Sequence, residues 1–455
     1  MAEKRKGEEG EARTQARHGS SGARELAVGR LLRVEHGAAH VARLTGEAEA
    51  DAARVASDLV AGVTRLRRRL DFFLDHFYRG DLDTLEPVLL QILRVGLYEA
   101  LETRTPAPIA VSEAVNVAGQ LLRRGAGGLV NGVLRAALRA AETGALPTPK
   151  MGDAAEDLAI LHSHPTWMVR RWLGRLGEEG AVALLAANNA RPAFGLRVNT
   201  LRVTPDEVAA QLAELGVSFR SSRWLDDFFV VEQLQPVLRG GLVREGWCAV
   251  QDEAAGLVVR ALDPQPGEAI LDAAAAPGGK ALYAAIRMGD TGRVVALDVH
   301  EAKVGLIRKA AEAHGLTSVE PVAGDLRTIA QEGAAYDRVL LDAPCSGLGV
   351  LARRADLRWR RTPDDLARLA RLQGELLDAA ARCVRPGGVL VYSTCSIEPE
   401  ENEDRVSAFL ARHPGFEAEC ITEVPEATRT PAGHYAAFPH VHGTDGAFAA
   451  RLRRT

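Results

Sequence analysis

Ala269-Ile-Leu-Asp-Ala-Ala-Ala-Ala-Pro-Gly-Gly-Lys280 decides the fold class. A short apolar strand ends on an acid, small residues and a glycine pair follow, and a helix is expected behind them. Such a turn lets a ligand approach the backbone at a helix N-terminus. It has neither the spaced glycines of the dinucleotide fingerprint nor the spacing of a phosphate cradle. Four more strands are expected downstream: Val294-Val-Ala-Leu-Asp298, Val319 to Val322, Arg338-Val-Leu-Leu-Asp342 and Val389-Leu-Val-Tyr-Ser393. They alternate with helices from about Gly246 onward, the mark of a parallel sheet covered on both faces. The helix before the last of them is capped by Thr362, with Pro363 at its first position and Asp365 completing a capping box. Leu366, Leu369, Leu376, Leu377, Ala380 and Val384 are its expected buried stripe, and Gly387-Gly388 its close. Phe448-Ala-Ala-Arg-Leu-Arg alternates with period two and predicts a late antiparallel strand.

Working outward, 455 residues suggest two or three domains. Hydrophobic residues make up 47% and charged residues 25%, enough for ordinary cores. The 56 basic and 60 acidic residues leave a net charge of −4. Bulk charge therefore does not bind nucleic acid, although a local basic groove still can. Five cysteines, an odd number, argue for a reducing compartment rather than a disulfide framework. The charged start leads into no apolar signal core, and no apolar run is long enough to cross a bilayer. These features predict a cytoplasmic, multidomain protein that does not engage membranes; a monomer is the expectation set beside them.

Residues 1–22 mix charge, Gly and Ser with almost no large apolar side chain, and predict a solvated, disordered tail. Residues 23–145 read as a helical domain. In it Leu85, Val88, Leu89, Ile92, Leu93, Val95 and Leu97 share a broad face, with Arg94 and Glu99 outside it. Further helices cover Ser112 to Arg124 and Val130 to Arg139, with Thr105-Pro-Ala-Pro between elements. Val111-Ser-Glu-Ala-Val and Leu129-Val-Asn-Gly-Val-Leu-Arg resemble a NusB-like RNA-binding domain. Residues 152–245 read as a small α/β module, in which Pro165 can open a helix and Leu196-Arg-Val-Asn-Thr-Leu forms a strand. Arg171, Arg175 and Trp167 can be read as RNA contacts, but arginines on a helix face are more often solvated and a tryptophan there more often core. Residues 246–455 read as the α/β domain built on the parallel sheet.

Three acids end successive strands. Asp298 can hold the hydroxyls of a ribose, Asp325 of Ala323-Gly-Asp-Leu-Arg can accept from an adenine amino group, and Asp342 ends strand four. With no hydride acceptor implied, an adenosyl cofactor is expected. Cys345, in Asp342-Ala-Pro-Cys-Ser-Gly347, and Cys395, in Ser393-Thr-Cys-Ser396, lie beyond two strand ends, where α/β sheets place their chemistry. Cys248, Cys383 and Cys420 are expected to be buried small hydrophobes. Fifty residues separate the strand-end pair, without a Cys-x-x-Cys or close histidine pair, so no metal site is expected.

These segments resemble the signatures of Sun-type (Fmu-type) RNA cytosine-5 methyltransferases, in particular the bacterial small-subunit rRNA branch with a NusB-like N-terminal domain. The likeness extends through Arg197-Val-Asn199, Gln251-Asp-Glu-Ala254, Glu400-Glu-Asn-Glu403 and Gly443-Thr-Asp-Gly446. It implies a Rossmann-like catalytic domain that uses S-adenosyl-L-methionine on an RNA substrate, 16S rRNA or a small-subunit precursor. The cofactor would lie along Ala274, Ala275, Ala276, Pro277, Gly278, Gly279 and Lys280 and on Asp298, Asp325 and Asp342. The resemblance makes Cys395 the nucleophile and gives Cys345 a role in adduct breakdown and product release. Asp342 would meet the cytosine edge, and Lys280 can help orient the base. Ala274 stands where cysteine is common in the family, Ala281 where threonine is, and Ala447 where a second aromatic often follows Asp-Gly. None removes a group needed for bond making. A tRNA substrate, a non-catalytic assembly factor and a protein or small-molecule methyltransferase are the rival readings.

Overall fold

The computed structural model describes residues 22–35, 50–331 and 336–455. The expected tail, apart from Gly22, lies outside them. The described residues form two compact units. One takes the chain up to Ala190 together with Leu351–Arg360; the other takes Arg191–Val350 and Arg361–Thr455.

The first unit is helical. It contains α1 (22–35), α2 (Ala50–Phe77), α3 (Pro87–Glu102), α4 (Ala107–Leu121), α5 (Ala126–Glu142), α6 (Ala154–Leu161) and α7 (Thr166–Asn189), with the short α14 (Leu357–Arg360) returning from later in the chain. Leu31, Leu70, Leu93, Leu97 and Leu134 meet in the core of α1–α5. Arg94 and Glu99, expected outside the apolar face, are instead buried. Ion pairs permit this: Arg94 is bidentate to Asp71 at 2.6 and 2.8 Å, and Glu99 takes Arg24 from α1 at 2.5 and 2.8 Å. A one-residue apolar pattern cannot show that a charged partner waits on another helix.

The second unit carries two sheets. The smaller is antiparallel, in the order β2 (Phe219–Ser221), β3 (Phe228–Val231), β1 (Phe194–Val198) and β4 (Cys248–Val250). With α8 (Pro205–Glu214) and α9 (Gln235–Arg239) it encloses Leu196, Val208, Leu212, Val231 and Val237. α10 (Glu253–Leu262) leads into the larger sheet. Its parallel strands are β5 (Ala269–Asp272), β6 (Arg293–Asp298), β7 (Val319–Ala323), β8 (Tyr336–Asp342) and β9 (Val384–Thr394), in spatial order β9-β8-β5-β6-β7. α11 (Gly279–Arg287), α12 (Glu301–His314), α13 (Leu326–Ile329) and α15 (Pro363–Cys383) connect them. Beyond β9 follow α16 (Glu403–Arg412), β10 (Phe416–Glu419), β11 (Tyr435–Ala437), α17 (Pro439–His442) and β12 (Ala447–Arg454). β12 lies antiparallel to β9, as its alternation predicts.

Successive strand residues part to opposite faces, the signature of a sheet buried on both sides. Ile270, Ala296, Leu340 and Val391 pack with α10, α11 and α12, whereas Leu271, Leu297, Leu341 and Tyr392 pack with α15 and α16. One boundary differs from expectation. α15 ends at Cys383, and Val384 together with Gly387-Gly388 belongs to β9, where a register shift opposite Tyr336 and Arg338 lets the extra residues bulge. A glycine pair punctuates a helix and a bulged strand alike. Cys248 and Cys383 are buried as expected, but Cys420, just past β10, is exposed.

Candidate active site

Five strand ends lie side by side. In register, Asp272 of β5 stands opposite Ala296 of β6 and Leu340 of β8, Asp298 opposite Ala323, and Asp342 opposite Ser393. The chain order reverses between β5 and its neighbours, so the loops after β5, β6, β7, β8 and β9 meet at a topological switch point.

The loop after β5 is held by Ala273 N–H to Leu340 O at 2.8 Å and Ala275 N–H to Leu297 O at 2.8 Å. Gly278 has φ +106°, and a Cβ there would come within 3.2 Å of Ile307 and Leu282. Glycine is therefore required for the turn into α11. Of the cofactor-loop residues, Ala275 and Gly278 are buried, Ala274, Ala276, Gly279 and Lys280 half-buried, and Pro277 exposed. Asp298 takes the His300 amide at 2.9 Å and has Lys303 at 3.6 Å. Asp325 caps α13 and is forked by Arg327, so its carboxylate is already engaged.

Next to this loop sits a compact polar cluster. Lys280 Nζ donates to Asp342 Oδ2 at 2.7 Å, and Ser393 Oγ donates to Asp342 Oδ1 at 2.9 Å. Burial works against the Lys280 ammonium, but the charge and hydrogen bond of Asp342, with Asp272 and Cys395 behind, outweigh it and raise its pKa. Asp272 is 1% exposed, and no side chain donates to either carboxylate oxygen. Burial raises its pKa to about 7, against the pull of Lys280. The two cysteines meet here: Cys345 Sγ and Cys395 Sγ are 2.9 Å apart, and both residues are partly open to solvent. The hydrogen bond with Cys395, then burial, then the charges of Cys395, Glu401 and Asp342 push the Cys345 thiol well above its ordinary value.

Every predicted site residue thus belongs to one strand-end edge, while Asp325 is set apart by its pairing with Arg327. Three residues carried no role in the sequence reading yet shape the site. Asp272 supplies the enclosed carboxylate. Arg197 of β1, fully buried, donates 2.6 Å bonds to Gln251 Oε1 and to the carbonyl of Gly279 at the start of α11. Burial lowers its pKa to about 10, which leaves it charged at neutral pH. Glu401 receives the backbone beside Cys345. The family-like segments around Arg197, Gln251 and Glu401 were the only signal of their importance. Among the described residues no group of His, Cys, Asp and Glu could hold a metal ion, and no helix is long and apolar enough to cross a membrane.

A doubly covered parallel sheet with a glycine turn and strand-end carboxylates at its switch point is the arrangement of an enzyme that binds a nucleoside cofactor. Three family models match the chain: the 16S rRNA methyltransferase RsmB/F at residues 259–453, the NusB family at 21–139, and the RsmF/B-like ferredoxin-like domain at 164–238. A probable ribosomal RNA small subunit methyltransferase B of Bacillus subtilis is 37% identical over 407 residues, covering 88% of this chain and 90% of that one. The crystal structure of PH0851 covers 96% of this chain and 98% of its own at 28% identity and a TM-score of 0.78. A methyltransferase homolog protein from Pyrococcus horikoshii matches 66% of this chain and 99% of its own, at 28% identity and a TM-score of 0.59. The chain belongs to the 16S rRNA methyltransferase RsmB/F family, and it is an S-adenosyl-L-methionine-dependent rRNA methyltransferase.

Proposed function

We propose that the enzyme methylates carbon 5 of a cytosine in 16S rRNA through a covalent bond between Cys395 and carbon 6 of the base. The observation that carries this reading is the 2.9 Å thiol pair beside the Lys280–Asp342 ion pair. Carbon 5 of cytosine is a poor nucleophile. A thiolate adding to carbon 6 makes the ring enamine-like and so activates carbon 5. The bound cofactor supplies an electrophilic methyl group.

The residue roles in this reading are those the family resemblance implies, and the geometry supports them. Cys345 is held in its protonated form, so its thiol can donate to the Cys395 sulfur 2.9 Å away. Asp342, fixed by Lys280 and Ser393, accepts from the exocyclic amino group of the base and offsets charge developing on the ring. Lys280 retains ammonium hydrogens to orient the base. After transfer, a solvent water takes the carbon 5 proton, the electrons of that C–H bond reform the ring double bond, and the Cys395 sulfur leaves as a thiolate that the Cys345 thiol, 2.9 Å away, stabilises by donating to it. The loop Ala274–Lys280 with Asp298, Asp325 and Asp342 holds the cofactor. Residues 23–145 and 152–245 contact RNA. The enzyme works as a monomer in the cytoplasm.

The test is incubation of undermodified 16S rRNA with labelled cofactor, followed by bisulfite mapping of the product. Cys395→Ala abolishes transfer, whereas Cys345→Ala accumulates a denaturant-resistant RNA–protein adduct. Transfer surviving in Cys395→Ala rejects the covalent route, and label appearing in tRNA but not rRNA rejects the substrate.

A further inference from the structure

We propose that Glu401 is a positioning residue that braces the two cysteine loops against each other and sets the electrostatics of Cys345. The inference rests on the thiol roles given above. Glu401 is fully buried in the short turn after Cys395. Its Oε1 accepts from the Ser346 amide at 2.8 Å and from Gln373 Nε2 at 3.0 Å, and its Oε2 accepts from Ser346 Oγ at 2.5 Å. These donors are neutral. A buried carboxylate held by neutral donors alone costs desolvation free energy that no ion pair offsets.

What the carboxylate gains is geometry on both sides of both sulfurs. Ser346 follows Cys345, and Pro344 precedes it; Gln373 Nε2 also binds the Pro344 carbonyl at 3.0 Å. Ser346 Oγ lies 3.2 Å from Ser396 Oγ, the residue after Cys395. On the same turn, Asn402 takes Thr394 Oγ1 at 2.6 Å and donates to the Ser396 carbonyl at 3.0 Å, so it flanks Cys395. The Glu401 carbonyl accepts from Tyr392 O–H at 2.6 Å, tying the turn to β9. Arg361 closes the far side, donating to the carbonyls of Ser346 at 2.8 Å and Cys345 at 3.2 Å. Two loops fifty residues apart are thereby held as one body, and the sulfurs kept at contact distance. The charge has a second effect, because an anion facing Cys345 favours its protonated form.

Glu401→Gln preserves shape and removes the charge, and Ser346→Ala preserves the charge and removes one brace. Both are assayed for kcat, cofactor KM and adduct decay across pH, beside Cys395→Ala. Both should lower kcat about tenfold or more with cofactor KM unchanged within about twofold. The two then diverge. The alkaline limb of adduct decay moves to lower pH in Glu401→Gln, because Cys345 ionises more easily, while Cys395, Asp342, Tyr392 and Lys280 still face the thiol pair. In Ser346→Ala that limb stays in place. A kcat within twofold of the parent in Glu401→Gln, or an unmoved limb, overturns the proposal. Should Glu401→Gln not fold, Ser346→Ala and Gln373→Ala carry the test, and unchanged kcat in both overturns it. Transfer surviving in Cys395→Ala marks failure of the underlying thiol roles instead.

Discussion

Asp272 shows what a single residue at the switch point costs the fold. An aspartate that ionises near 3.8 in the unfolded chain must hold its proton until about pH 7 once folded, chiefly because burial disfavours the anion. The native state therefore binds more protons than the unfolded state between about pH 4 and about pH 7. Stability from this group falls as pH rises through that window and does not recover above it. Asp272→Asn should match the parent in unfolding free energy below pH 4 and exceed it increasingly up to pH 7. Denaturant titrations at several pH values check this, and a pH-independent difference between the two proteins would count against it. The sequence marked Asp272 only as the end of a strand. That its carboxylate is enclosed by the protein is a fact of packing.

At the scale of elements, α15 behaves as its sequence predicts. Thr362 N–H donates to Asp365 Oδ2 at 3.0 Å, and Pro363 occupies the first turn. Leu366, Leu369, Leu377 and Ala380 are buried, whereas Leu376, expected in the same stripe, is half-buried. Arg368 first, then the Thr362 amide, hold the Asp365 carboxyl down to about 2. Its contribution is thus present above about pH 4 and lost as pH falls toward 2. Asp365→Ala should cost about 1 kcal/mol at pH 7, with the gap to the parent closing between pH 4 and pH 2 in thermal unfolding. The C-terminal boundary was less legible, because Val384 and the glycine pair suit a helix end as well as the bulged start of β9. The parallel strands were readable for the opposite reason: buried on both faces, they are short apolar runs that end on acids.

Across the whole molecule, the helical unit is closed by a segment distant in sequence. Arg358 of α14 is fully buried and donates to the carbonyls of Arg65, Ser163, Asn188 and Leu351 and to Asn189 Oδ1, at 2.8 to 3.4 Å. Burial, with Arg65 nearby, presses its pKa to about 9, so it still carries charge at neutral pH. Trp359 adds a 2.6 Å bond to the Thr64 carbonyl and lies under Arg67. Arg358→Met should destabilise this unit by about 3 kcal/mol or more, since five acceptors lose their donor inside the protein. Hydrogen exchange of α2 and α7 amides reports the loss, and unchanged protection there would refute it.

The sequence by itself determined the sheet, the order of its strands along the chain and the two cysteine loops, because apolar runs, turn glycines and caps are local codes. Only the tertiary structure decided which charges could be buried, as with Arg94, Glu99 and Arg358. It also decided that Asp272 is enclosed and that Glu401, in the turn after Cys395, receives the Ser346 amide beside Cys345. A charge can be placed inside only once its partners, drawn from remote parts of the chain, are in position, and no local pattern records that meeting.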